Sequence, residues 1–291
     1  MVTESAVEAR GVAFTYSEGS RALDRVDFYA KSGEFVAMLA SNGSGKTTLI
    51  KVLVGVLKPQ EGQVYIDGRN IKTLSQAHLY QRVGLVLQNP VDQLFASTVE
   101  EDVAYGPRNL GLSETQVQSR VSESLELVDA ASLRTRAIHH LSYGQQKRVS
   151  VAGVLAMRPS TLILDEPTAG LDPAGEAQMM SLLHRLNREQ GITVVLATHS
   201  VDLLPLFADR IYVLRNGKVL KQGPADDIFC EHEMIDQACL RLPYIAALLH
   251  KMKQSDGVPI NGLPLTIGEA RTRLLELIPE SIIVKHAEAA D

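Results

Sequence analysis

Ser41-Asn42-Gly43-Ser44-Gly45-Lys46-Thr47-Thr48 follows the apolar run Phe35 to Leu39 and opens an amphipathic stretch from about Lys46 to Val54. An apolar run, a glycine-rich turn and then a helical period predict a strand, a tight loop and a helix. Glycines let the chain curl until several backbone N–H groups point at one spot, and the helix N-terminus behind them adds the positive end of its dipole. A triphosphate needs that arrangement. Within it Lys46 reaches the β- and γ-phosphates and the Thr47 hydroxyl coordinates Mg²⁺, while Ser41, Asn42, Gly43, Ser44, Gly45 and Thr48 complete the cradle. Ala40 stands where such loops usually begin with glycine. A negative φ there does no harm, because only the later glycines approach the phosphates.

Outward from this loop, Val83 to Leu87, Thr161 to Leu164 and Thr193 to Ala197 are further short apolar runs, each followed at once by polar residues. They read as buried strands, and their alternation with longer amphipathic segments predicts a parallel α/β sheet. Gly55 is placed to cap the first helix. Asp67-Gly68 and Asn216-Gly217 are hairpin signals between β-rich segments (Gln63 to Ile66, Arg210 to Leu214, Lys218 to Leu220), so an antiparallel portion is expected beside the parallel core. Between Thr98 and Met157 the pattern is mainly helical and predicts an insert at about 98–157. Beyond Gln222 it changes again: Leu242, Ile245, Leu249 and Met252 repeat at helical spacing. Thr266 with Glu269 forms a capping-box signature before Arg271 to Ile278, and Ser255 to Gly262 reads as a loop. The expected division is 1–222 for the main domain and 223–291 for a small helical appendage.

The 291 residues carry 45% hydrophobic and 22% charged side chains, the balance of a folded globular chain. A net charge of −5 lacks the basic excess of a nucleic-acid binder. Cys230 and Cys239 cannot build a disulfide framework, which fits a reducing compartment. With His232 they match no usual zinc spacing, and a fourth ligand is missing. Met1 to Arg10 is acidic and has no apolar signal segment, and no run approaches the roughly 20 apolar residues that span a bilayer. A cytoplasmic chain is expected, with membrane work left to partners.

Asp165 and Glu166 close the apolar run Leu162-Ile163-Leu164. A carboxylate at a strand's C-terminal end, beside a phosphate loop, is placed to hold Mg²⁺, which assigns Asp165 to the metal. Glu166 would orient and deprotonate the attacking water. Leu141-Ser142-Tyr143-Gly144-Gln145 precedes a helix containing Lys147 and Arg148, and here the chain resembles the ABC-type ATPases, whose signature segment this matches at Ser142, Gly144 and Gln145. The family has glycine where this chain has Tyr143.

The resemblance extends over roughly residues 7 to 222. It implies a P-loop (RecA-like) α/β core with an antiparallel β subdomain and an α-helical insert, plus the small C-terminal appendage. It also implies roles for further residues. Gln88 would touch Mg²⁺ and water and sense the transporter, Ala169-Gly170-Leu171-Asp172 would cross a dimer interface, His199 would contact the γ-phosphate and support Glu166, and Tyr16 would stack on adenine. In such ATPases the signature segment contacts the γ-phosphate held by the other subunit. A second ATPase subunit, the same chain or a paralogue, is therefore an expected partner, with ATP and Mg²⁺ bound between the two.

The stretch Gln88-Asn89-Pro90-Val91-Asp92-Gln93-Leu94-Phe95, continued by Thr98 to Pro107, resembles the ATPases of energy-coupling-factor importers, especially the cobalt and nickel group. Leu263 to Arg271 resembles that group's C-terminal extension. This likeness implies a transmembrane scaffold protein and a small substrate-binding membrane protein as partners, and a peripheral place at the cytoplasmic face of the membrane. A vitamin importer is the nearest alternative. A cytosolic ATPase acting on nucleic acid is a weaker one, since no coiled-coil insertion, zinc module or duplicated cassette is visible.

Overall fold

The computed structural model describes residues 5–278. The first four residues of the acidic N-terminus and residues 279–291 of the expected appendage lie outside the described residues. The chain begins with two long antiparallel strands, β1 (Ser5–Thr15) and β2 (Arg21–Lys31). β3 (Phe35–Ala40) leads through the glycine-rich turn into α1 (Lys46–Leu53). β4 (Glu61–Ile66), β5 (Arg69–Asn70), α2 (Gln76–Arg82) and β6 (Val83–Val86) follow. Three helices then interrupt the strands: α3 (Val99–Asn109), α4 (Glu114–Leu127) and α5 (Tyr143–Leu155). The core resumes with β7 (Thr161–Asp165), α6 (Pro173–Gln190), β8 (Thr193–Thr198), the single turn α7 (Leu204–Phe207), β9 (Arg210–Arg215) and β10 (Lys218–Gly223). Four helices end the described chain: α8 (Ala225–Phe229), α9 (His232–Gln237), α10 (Tyr244–Ser255) and α11 (Ile267–Leu275).

Every residue of β3, β7 and β8 is buried, as strands covered on both faces must be. They form the centre of a six-stranded sheet of order β10-β9-β3-β8-β7-β6, parallel except for β10. β1, β2, β4 and β5 make a separate antiparallel sheet of order β2-β1-β4-β5. One apolar cluster joins this sheet to α1 and one face of the six-stranded sheet; Phe28 meets Tyr212 there at 4.6 Å between ring centroids. A second cluster joins the opposite face to α3–α6.

Both hairpin signals form turns whose central residues have positive φ: Asp67 (48°) with Gly68 (73°), and Asn216 (48°) with Gly217 (72°). The first lies in the antiparallel sheet. The second joins β9 to β10 at the edge of the mainly parallel sheet, so the two signals serve different sheets.

The insert helices are capped from their own sequence. Thr98 with Glu101, Ser113 with Gln116 and Ser142 with Gln145 each exchange two side-chain-to-backbone hydrogen bonds at the N-termini of α3, α4 and α5. In the tail, Thr266 accepts from Glu269 N at 3.2 Å, but the Glu269 carboxylate accepts from Leu265 N at 2.9 Å and not from Thr266 N. α11 also ends at Leu275, short of Ile278, and Leu242 precedes α10, separated from it by Pro243. The tail is not an independent unit in its packing. Among the described residues, Ile228, Phe229, Ile235, Ala238, Ala246 and Leu265 belong to the cluster on the α3–α6 side of the sheet, while Leu249, Ile260 and Ala270 form a small core of their own.

Candidate functional site

The glycine-rich turn is fixed by close approach. Gly45, the N-cap of α1, has φ 98°, and a Cβ there would come within 2.5 Å of Ala22 O. Any side chain would push the loop off the β2 end. Ala40 is the last residue of β3 and extended, so its departure from glycine costs nothing. Lys46 is buried, and its ammonium donates to Ala40 O at 2.7 Å and Ser41 O at 3.2 Å, curled inside the loop it belongs to. The Ser41 and Ser44 hydroxyls are 3.0 Å apart and brace the turn.

β7 and β8 bring the acidic and basic groups alongside. Thr47 Oγ1 donates to Asp165 Oδ2 at 2.7 Å. Asp165 Oδ1 is buried with no hydrogen-bond partner among the described residues. Burial pushes the Asp165 carboxyl up, the Thr47 hydrogen bond pulls it down, and the neighbouring Glu166 charge pushes it up again, for a net rise. A hydroxyl, a carboxylate oxygen lacking a donor and the nearby Gln88 amide are the hard oxygen ligands that Mg²⁺ takes, so these residues fit the ion.

Glu166 sits at φ 49°, an uncommon value for a residue other than glycine, with its N–H donating to Ala197 O at 2.9 Å. Its carboxylate lies 2.8 Å from His199 Nδ1 and 3.5 Å from Lys46 Nζ. Glu166 and Lys46 are both buried, whereas the His199 side chain is 57% exposed at the rim.

These groups line one cleft of about 400 Å³ together with Tyr16, Asn42, Gly43, Thr48 and Gln88. Tyr16 donates to or accepts from Thr48 Oγ1 at 3.0 Å and packs edge-on to Phe14, which stands its ring at the cleft wall. Ser41 supports the loop without lining the cleft. Ser142, Gly144 and Gln145 are elsewhere. With Tyr143, Gly170, Leu171 and Asp172 they line a second depression of about 700 Å³ that shares no residue with the first. The structure thus gathers the phosphate loop, Gln88, Asp165, Glu166 and His199 and holds the signature segment apart from them.

Two residues at the junction escaped sequence reasoning. Gln93 accepts from Leu87 N at 2.9 Å and donates to Ser150 O at 2.9 Å, bracing the Gln88 segment against α5. Lys147 is buried on α5, one helical turn before Val151, and donates to Gln88 O and Glu166 O. Burial pushes its ammonium down to about 8, against the pull of Glu166 and Asp165. A lysine on the apolar face of a helix was the available signal.

A glycine-rich loop between strand and helix, two strand-end carboxylates, a strand-end histidine bonded to one of them and a Ser142-Tyr143-Gly144-Gln145 helix start on an inserted helical block are the arrangement of an ABC-type ATPase. The ABC transporter family profile matches residues 23–169, just over half the chain. A Geobacter sulfurreducens protein provisionally named an ABC transporter ATP-binding protein is 52% identical over 266 residues, covering 91% of this chain and 95% of its own. The energy-coupling factor transporter ATP-binding protein EcfA of Methanocaldococcus jannaschii is 45% identical over 276 residues, with 94% and 98% covered. Among solved structures, CbiO1 of Clostridium perfringens, described as part of the ABC transporter complex CbiONQ, superposes with a TM-score of 0.74 at 39% identity, over 85% of this chain and 99% of that one. The chain therefore belongs to the ABC transporter ATPases, in their energy-coupling-factor branch, and hydrolyses ATP.

Proposed function

We propose that this ATPase drives a metal-ion importer, with cobalt or nickel as the substrate, by closing as one half of a dimer around two ATP molecules at the cytoplasmic face of the membrane. The separation of the two depressions is the observation that carries the dimer. A chain that keeps Ser142, Gly144 and Gln145 away from its own phosphate loop cannot surround a γ-phosphate alone, and a second subunit, a copy or a paralogue, brings that surface.

In this reading the N–H groups of residues 42–48 and Lys46 hold the phosphates, and Tyr16 stacks on the base. Thr47, Gln88 and Asp165 would hold Mg²⁺, which would supply charge neutralisation to the transferring phosphoryl group. Glu166 takes the proton of the attacking water, and His199, bonded to it through Nδ1, keeps Nε2 for the γ-phosphate.

The importer reading is supported by an apolar groove of about 720 Å³ beside the Gln88 segment, lined by Tyr80, Leu87, Phe95, Tyr105 and Met157 among others. Phe95 is 66% and Tyr105 52% exposed, although their rings pack edge-on at 4.7 Å. Exposed aromatics at a groove suit a helix of a transmembrane scaffold protein. No described helix is long and apolar enough to cross a membrane. In this reading that scaffold and a small substrate-binding membrane protein are separate chains. Cobalt or nickel is favoured by the resemblance of the Gln88–Pro107 and Leu263–Arg271 stretches to that importer group, and a vitamin is the second candidate. Residues 223–291 are assigned to an extension of the ATPase domain 1–222. Copurification with small membrane proteins tests the importer class. Uptake of radiolabelled cobalt, nickel or a vitamin by the reconstituted complex tests the substrate, and vitamin uptake alone would sink the metal assignment.

A further inference from the structure

Lys147 stands where four functional segments meet, and nothing in the mechanism above uses it. It is 1% exposed, and its ammonium donates to Gln88 O at 2.5 Å and to Glu166 O at 3.1 Å, with the Tyr143 ring centroid at 5.5 Å. An ammonium has three N–H bonds, and two carbonyls and an aromatic face are the partners arranged around this one. Tyr143 in turn lies against Gly170: at φ 79° that residue has no side chain, and a Cβ there would come within 3.0 Å of Tyr143 Cε1. One side chain on the signature helix thus touches the Gln88 peptide and the Glu166 peptide, and reaches the 169–172 loop through a neighbouring ring.

The two carbonyls belong to peptides that aim chemistry. The Glu166 peptide is held on both sides, its N–H by Ala197 O and its C=O by Lys147 and by Ala169 N at 3.1 Å. With φ at 49° the direction of its carboxylate depends on those anchors. A buried cation held by carbonyls is expensive, and an uncharged residue of similar volume would pack at lower cost. Stability alone gives no reason for the charge.

We infer that Lys147 is a positioning residue that couples the two nucleotide sites of the dimer. The N-terminus of α5 serves the partner's nucleotide, while Glu166 serves the chain's own. Lys147 is the direct bond between them, so a shift of α5 as Ser142 engages the partner's phosphate carries the Glu166 peptide with it. The inference rests on the proposed trans role of the signature segment and on Glu166 as base.

The test is ATP turnover by the full-length chain as Lys147→Met, which keeps length and loses donors, and as Lys147→Arg, which keeps charge and donors. Wild type and Glu166→Gln run beside them. Lys147→Met is expected to bind ATP as wild type does, to lose kcat on the order of 10–100-fold, and to lower the Hill coefficient for ATP towards one. Lys147→Arg is expected to recover part of both. Unchanged kcat and Hill coefficient in Lys147→Met overturn the inference, as does a loss of nucleotide affinity or melting temperature in that variant, which would make the role one of packing. An Arg variant no better than Met, or a wild-type Hill coefficient of one, also overturns it. Wild-type turnover by Glu166→Gln strikes the base assignment instead, and is read separately.

Discussion

At the scale of single residues, Glu166 lies between His199 and Lys46 in a buried wall of the cleft, with Asp165 beside it bonded to Thr47. Glu166→Gln keeps the shape and removes the proposed base. Turnover is expected to fall by about 10²–10⁴-fold with ATP binding retained, measured as phosphate release against equilibrium binding. Lys46→Ala removes the one cation inside the loop and is expected to weaken ATP binding by about tenfold or more, read by titration; unchanged affinity refutes the phosphate-loop assignment. Both residues were legible in the sequence because their chemistry demands particular side chains in adjacent positions after an apolar run. Lys147 was not, since its partners are backbone carbonyls of Gln88 and Glu166, and a carbonyl carries no residue identity.

At the scale of elements, β3, β7 and β8 could be read because burial on both faces leaves continuous apolar runs. β1 and β2 could not: register shifts between Ala9 and Val12 and between Val12 and Phe14 break the alternation that marks a half-buried strand. The contact between tail and core was equally hidden, because Asp202 and Arg241 are far apart in the chain. Asp202 Oδ1 accepts from Arg241 at 3.1 Å and from Tyr244 N at 2.9 Å, which anchors the start of α10 three residues past His199. Burial pushes the Asp202 carboxyl up, but the Arg241 and Tyr244 hydrogen bonds outweigh it and hold it below its ordinary 3.8. A depressed value means the stabilisation is present above that range and lost as pH falls through the lowered one. Solvent screens this partly exposed pair, so Asp202→Asn should lose about 0.5–1 kcal/mol near neutrality, and wild type should match it only in strong acid. Amide exchange in α10 at pH 7 and at low pH measures this, and equal protection in both proteins at pH 7 would discount the anchor.

For the whole molecule, the two separate depressions and the exposed aromatic groove are the surfaces that the proposed function fills, the first with another ATPase and the second with a membrane partner. Phe95→Ser with Tyr105→Ser is expected to abolish copurification with membrane proteins while ATP binding is kept; retained copurification would rule out the groove as the dock. The tail carries a different consequence. Its Ile228, Phe229, Ile235 and Leu265 lie in the same cluster as Leu183 and Val213, so a chain cut after Gln222 would wet the back of its own catalytic layer. Grafting this tail onto a relative would then succeed only where the recipient's surface beneath it had drifted in step, and the last quarter of the protein should evolve under the constraint of the rest.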